Sequence, residues 1–458
     1  MHRNPGRLPH RVPVSRIRPR PRPTTMALSS SMIPSLPIEP RLLLIPLISG
    51  IIGYITNWFG IKMLFYPVEH TGFRVPGLKG AVLRLPDRIQ QIPGLLRGRV
   101  GWQGIIPARA DKMASISVDT GISRLASQRE FYETFDPDLI AQHVLAESGD
   151  EIHDLVDDVI RQEHPDLWRN MPDPMYELVH RRVDAQLPEI VDTVTDEIGE
   201  NIDELLDVKT MVIRNMEQNP ELINRLFFEA GDKELRFVIN SGFLIGGFLG
   251  FFTIPLFLLI GSQWVLPVVG ATVGYITNWI ALKVIFNPVE KRRIGPFELQ
   301  GLFIQRQSEV ARAYGREVAQ TTITLENIAN DLLHGRKSDR TRRMLREILR
   351  PEVDRAMGMM GPAVRVATGT DEYQAMRERM ATEAAELSVE PMTDPEFNSA
   401  RAEAIEELIA SRLAELPPGE YVETLRTAFE EDEWMLIGLG AVLGFVAGWI
   451  QLIVVTAA

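Results

Sequence analysis

Hydrophobic positions are gathered into four long stretches and thinned elsewhere. Leu42–Phe65, Phe237–Ile260, Val265–Phe286 and Met435–Val455 are rich in Ile, Leu, Val, Phe and Gly and contain no acidic residue. A helix rises about 1.5 Å per residue and a bilayer core is about 30 Å thick, so roughly 20 apolar residues cross it. Each stretch is therefore predicted to be a transmembrane helix. A soluble protein would have to bury four such helices at once. Between the spans the period changes. In 189–227 the apolar residues Ile190, Val194, Ile198, Ile202, Leu205, Met211, Ile223 and Leu226 recur mostly at three and four, the signature of amphipathic helix. Prolines 137, 165, 172, 174, 188 and 220, then 351, 362, 391, 395, 417 and 418, are expected to divide the polar regions into separate helices. No run of alternating polarity predicts a strand.

The pattern partitions the chain. Residues 1–40 are expected to be a disordered basic, proline-rich start. Segments 41–66, 237–261, 264–287 and 434–456 are transmembrane helices 1 to 4. Segments 67–236 and 288–433 are two helical arms. Only Gly261 to Trp264 separate the second and third spans, so these form a tight hairpin and both arms lie on one side. Arg74, Lys79, Arg84, Arg88, Arg97 and Arg99 follow the first span, and Lys291, Arg292, Arg293 and Arg306 follow the third. The positive-inside rule then makes the arms cytoplasmic and the termini external, in a multi-pass protein of the cell membrane. Residues 1–25, with seven arginines and no acid, contradict this orientation. The expectation is that translation starts at Met26 or Met32.

Alignment of the spans exposes a duplication. Residues 46–69 and 267–290 are identical at twelve of 24 positions, including G-Y-I-T-N-W, the following lysine, and F-x-P-V-E. Trp102–Ala114 matches Leu299–Ala311 around a shared Q-G, and the first copy carries extra residues before it. Gly242, Gly246 and Gly250 repeat as Gly440, Gly444 and Gly448, a spacing that lets two helix backbones approach. The predicted fold is thus all-α, with four transmembrane helices in two parallel tandem repeats, each flanking a helical cytoplasmic arm. A pseudo-two-fold axis along the membrane normal would relate the copies.

These motifs, with G-D-K-E-L-R-F-V-I-N-S-G at Gly231–Gly242 and E-D-E-W-M-L-I-G at Glu431–Gly438, resemble the bacterial membrane family known as domain of unknown function 445, the YheB/YjiN-like proteins. The resemblance covers nearly the whole chain from about residue 42. It implies a cell-membrane protein with large helical cytoplasmic parts, and it implies no reaction.

Charge and composition narrow the chemistry. The 458 residues carry a net −12, and removing the seven early arginines leaves −19, which argues against a nucleic-acid partner. From 147 to 207 there are 19 acids and four bases, read mainly as a solvated face. Zero cysteines exclude disulfides, thiolate metal sites and cysteine nucleophiles. The eight histidines lack zinc-site spacing, and phosphate-loop, dinucleotide and nucleophile-elbow motifs are missing. No cofactor, metal or catalytic residue is expected.

The candidate functional residues are polar groups in the spans. Tyr54 and Asn57, and by symmetry Tyr275 and Asn278, are three apart on one helix face and are expected to converge at the axis. Two readings stand open: interhelical hydrogen bonds that lock the bundle, the leading one, and a permeation or binding site. Lys62 and Lys283 fit snorkelling toward head groups. Arg84 and Arg88 in the basic segment 70–101, which reads equally as an ordinary basic loop, are candidate contacts for lipid head groups, and Arg109 and Arg306 after the Q-G motifs fit either a head-group phosphate or the capping of helix carbonyls. Expected partners are membrane lipids, proteins docking on the arms, and further copies of the chain. The leading expectation is a non-enzymatic scaffold, tether or envelope-organising protein. The alternative is a transporter or channel, lipid among its candidate cargoes, using the polar faces of spans 1 and 3.

Overall fold

A computed structural model describes residues 44–457 apart from 77, 85, 87–97, 164, 166–168, 170, 295–296, 358–368, 388–389 and 431–432. The proline-rich start and Arg88 lie outside the described residues. In chain order the elements are α1 (Leu44–Phe65), β1 (Thr71–Arg74), β2 (Arg99–Trp102), α2 (Ala110–Ile116), α3 (Gln128–Thr134), α4 (Pro137–Glu147), α5 (Gly149–Glu163), α6 (Asp173–Leu205) and α7 (Val208–Gln218). There follow α8 (Pro220–Ile260), α9 (Val265–Phe286), β3 (Arg292–Ile294), β4 (Phe297–Leu299), α10 (Gln307–Thr321), α11 (Leu325–His334), α12 (Ser338–Met357), α13 (Thr370–Leu387), α14 (Pro395–Glu415), α15 (Pro418–Glu430) and α16 (Glu433–Ala457). The protein is all-α in class, and four of its helices (α1, α8, α9 and α16) are long and apolar enough to cross a membrane.

The four form a bundle of antiparallel pairs. Helix α1 packs on α8 and α9 on α16, and the pairs meet where α8 touches α9 and α1 touches α16. Glycine closes both seams. A Cβ added at Gly242 would lie 2.3 Å from the Gly53 carbonyl oxygen, and one at Gly246 would lie 2.7 Å from that of Ser49. In the other pair, a Cβ at Gly444 would stand 2.2 Å from the Gly270 oxygen and one at Gly448 would stand 2.4 Å from that of Leu266. Backbones therefore touch along each seam, which is the dispersion-driven contact available in hydrocarbon. Gln451 ties the pairs together, its Nε2 donating to Ser49 Oγ at 3.1 Å.

Helix α8 has 41 residues and starts seventeen positions before the predicted span. Pro220 occupies its first turn, where the missing N–H costs nothing, and no proline follows until Pro255. The helix ends at Gly261, whose φ of 62° is the left-handed conformation that glycine adopts without strain.

Two sequence expectations are corrected. The polar regions are not purely helical: β1 pairs with β2 (Thr71 opposite Trp102) and β3 with β4 (Arg292 opposite Leu299), each antiparallel. Strands of three and four residues are too short to display an alternating pattern. Nor do all prolines divide helices. Pro188 lies inside α6 and Pro351 inside α12. An interior proline costs about 3 kcal/mol, and packing on both sides outweighs it: α6 buries Val179 and Val183 before Pro188, and Thr195, Ile202 and Leu205 after it.

One hydrophobic core runs from the ends of the spans at Phe65 and Phe286 into the neighbouring helices. It joins Leu64, Phe65, Ile285 and Phe286 to Ile202, Met216, Ile223, Val318, Ile405 and Leu413. Helices α2, α3, α4, α6, α7, α10, α11, α14 and α15 contribute to this core, while α5 and α13 pack on each other in a separate cluster through Val159, Ile160, Tyr373, Met376 and Met380.

Candidate functional site at the membrane junction

The polar groups of the spans divide by direction. Asn57 and Asn278 are buried. Asn57 Nδ2 donates to the Val238 carbonyl of α8 at 2.7 Å, and Asn278 Nδ2 donates to the Leu436 carbonyl of α16 at 2.8 Å. Tyr54 and Tyr275 are exposed and do not join them. The reason is angular. Residues three apart on a helix are separated by roughly 60° around the axis, whereas residues four apart differ by roughly 40°. Gly53 and Asn57 share the seam with α8, and Tyr54 falls on the outer flank. Lys62 and Lys283, in the last turns, lie over the rings of Tyr66 and Trp279, at 4.8 and 5.4 Å from the ring centroids.

The two asparagines do meet a common space. A cavity of about 100 Å³ at the end of the bundle that meets the other helices is lined by Asn57, Asn278, Phe65, Phe286, Glu234 and Tyr314 among others. Glu234 is 3% exposed and accepts a hydrogen bond from Arg306 Nη1 at 2.5 Å. Arg306 Nε also donates to Glu309 at 2.8 Å, and Lys233 Nζ donates to Glu309 at 2.5 Å. The hydrogen bond to Glu309 and then the Glu234 carboxylate hold the Arg306 guanidinium above its ordinary pKa. Arg306 and then Lys233 bring the Glu309 carboxyl down to about 2. Fully buried Tyr421 stands near this group. Burial, with Glu234 second, pushes its hydroxyl well above the ordinary tyrosine value. The Tyr421 hydroxyl, Glu234 Oε2 and Asn224 Oδ1 are buried without a hydrogen-bond partner among the described residues.

Of the four arginines proposed for head groups, Arg306 is thus engaged by two carboxylates. Arg84 is exposed in a turn, and Arg109 is half-buried at the start of α2. The Q-G motifs have a structural task. Gln103 Nε2 donates to the Val68 carbonyl at 2.8 Å and Gly104 N to that of Pro67 at 2.9 Å. Gln300 Nε2 donates to Val289 O at 3.3 Å and Gly301 N to Pro288 O at 2.9 Å. Each motif folds its ribbon back onto the P-V-E segment that ends a span. A side chain at Gly104 would collide with the Phe65 backbone, and one at Gly301 with that of Phe286.

Sequence reasoning missed Glu234 and Tyr421 as members of this cluster. Glu234 lies in the quoted G-D-K-E-L-R-F motif, and an acid one turn before a span was the available signal. A second space was also unforeseen. A cavity of about 170 Å³ opens among α4, α5, α6, α11, α12 and α13, lined by Val144, Val183, Ile190, Leu345 and Met380 and by other mainly aliphatic side chains.

Comparison with known proteins gives partial likenesses. Over 75 residues the chain is 36% identical to a UPF0754 membrane protein of Halalkalibacterium halodurans, covering 16% of this chain and 20% of that one. Over 68 residues it is 35% identical to a UPF0754 membrane protein of Exiguobacterium sibiricum, covering 14% and 18%. The matching stretches span about a fifth of the length of these curated relatives. No family model and no solved structure matches the chain. Four apolar helices of spanning length, together with these relatives, make the chain a membrane protein.

Proposed function

We propose that the chain is a non-enzymatic membrane scaffold or tether, in which two copies of a span–arm–span unit fix one helical body to the inner face of a cell membrane. The observation that carries this reading is the use of the two span asparagines. Each gives its amide to a carbonyl of the other span in its own antiparallel pair, across a seam where glycine brings the backbones into contact. Such groups act as bolts and leave little polar lining for a solute. Duplication is supported by the matching of these bolts, of the seams and of the Q-G locks. A cytoplasmic body with external termini is supported by the basic residues that follow the first and third spans. The sequence resemblance to the domain of unknown function 445 family is compatible with both.

The alternative, a transporter or channel, is favoured by the junction cavity that both asparagines and Glu234 line. Flux separates the two. Full-length protein reconstituted into liposomes loaded with potassium chloride and a fluorescent lipid should show ion leak and lipid flip-flop no faster than protein-free vesicles. Faster flux that is abolished in Asn57→Leu/Asn278→Leu would replace the scaffold by the transporter. Reporter fusions after residue 150, at 263 and at 458 test the orientation; a cytoplasmic signal at 458 overturns it.

A further inference from the structure

The geometry points to a binding site for one aliphatic chain of an uncharged, hydroxyl-bearing amphiphile, such as a monoacylglycerol, in the cavity among α4, α5, α6, α11, α12 and α13. The inference does not depend on whether the bundle is a scaffold or a path. The cavity, about 170 Å³, is similar in size to an engineered apolar cavity of ~150 Å³ that takes up apolar guests. Its walls are aliphatic side chains from six helices, with Val183 and Ile190 on one side and Leu345 and Met380 on the other. Water gains few hydrogen bonds on such a wall, so a hydrocarbon chain is the fitting occupant.

The few polar groups in the wall select the head. Ser148 is 1% exposed, and its Oγ is buried without a partner among the described residues. Gln186 Oε1 is in the same condition. Both line the cavity, together with Glu352, whose carboxylate is paired with Arg355 Nη1 at 2.6 Å. An orphaned carbonyl oxygen calls for a donor, and a serine hydroxyl serves as donor or acceptor. An alcohol matches both, whereas an ionised carboxylate head has no proton to donate and matches the serine alone. The cavity belongs to a chain with four helices of membrane-spanning length, and a membrane is a reservoir of such amphiphiles.

The test uses the full chain in nanodiscs, titrated with 1-oleoylglycerol and followed by native mass spectrometry. Saturable binding of one molecule is expected. Oleate at pH 8 should bind at least about tenfold more weakly. Ala384→Phe, which fills the cavity from α13, should abolish binding with the melting temperature kept. If that variant does not fold, Gln186→Leu serves instead: loss of one hydrogen bond should weaken 1-oleoylglycerol about five- to tenfold and leave binding of hexadecane unchanged. Absence of saturable binding to the wild type, or equal binding by a folded Ala384→Phe, overturns the site. Oleate binding as tightly as 1-oleoylglycerol, or an unchanged affinity in Gln186→Leu, overturns the assignment of the head.

Discussion

The pair Glu234–Arg306 gives the sharpest test of how the body is seated on the bundle. Glu234 belongs to α8 and is 3% exposed, and Arg306 lies 72 residues further along, just before α10. Replacing Arg306 with methionine keeps the side chain's volume and removes its charge. Glu234 is then left as a buried carboxylate whose other oxygen has no partner among the described residues. Breaking a buried pair in this way costs about 3–5 kcal/mol. One kcal/mol shifts a melting temperature by about 2–4 °C at 150–250 residues and by less in a larger unit. A fall of roughly 5–10 °C is therefore expected for Arg306→Met in detergent. The double variant Glu234→Leu/Arg306→Met removes both charges together, and it should recover most of the loss because no ion remains to be desolvated. Differential scanning fluorimetry of wild type, both single variants and the double variant completes the cycle. If the double variant melts as low as Arg306→Met or lower, the buried charge is not what destabilises the single variant, and the reasoning fails.

The other expectations are simpler to check. Gly444→Ala puts a methyl group 2.2 Å from the Gly270 oxygen and should cost about 1–3 kcal/mol, whereas Gly438→Ala, with nothing within 4 Å, should be silent in the same melting assay. Asn57→Leu and Asn278→Leu should each lose about 0.6–1.7 kcal/mol and lose it equally; loss in one alone would show that the two bonds are not equivalent. Glu309 is held near 2 against an ordinary 4.5, so its contribution to stability is full above about pH 4.5 and disappears as pH falls through about 2. In Glu309→Gln the acid-side decline between those values should be shallower, as read by circular dichroism.

The spans were legible because a bilayer demands some 20 apolar residues in a row, a constraint written in consecutive positions. The helical character of the arms was legible for a related reason: spacings of three and four survive in any helix with a buried face. What could not be read depends on residues far apart or on small angles. The ribbons hold three or four residues per strand, and in the first Gly72 opposes Gly101, so neither position shows a side-chain pattern. Pro188 and Pro351 stay within helices because tertiary packing outweighs the local penalty, and a sequence displays only the penalty. Tyr54 and Asn57 were assigned one face, but the 60° between them separates the seam from the outer flank. The Asn57 bond to Val238 spans 181 residues and Arg306 to Glu234 spans 72, so neither partner was available from local spacing. The apolar cavity is assembled from six helices and has no local signature.

Helix α8 is about 60 Å long at the usual rise per residue, and roughly half of it stands outside the hydrocarbon. Such a rod is a lever with its fulcrum at the bilayer surface. A membrane a few ångströms thinner than the apolar length of the bundle favours greater helix tilt. A tilt of ten degrees about that fulcrum displaces the far end of the outer half by roughly 5 Å. The body shares its core with α8 through Ile223, Leu226 and Ala230, so it is carried along. Membrane thickness is thereby coupled, through one continuous helix, to the position of the helices that share this core.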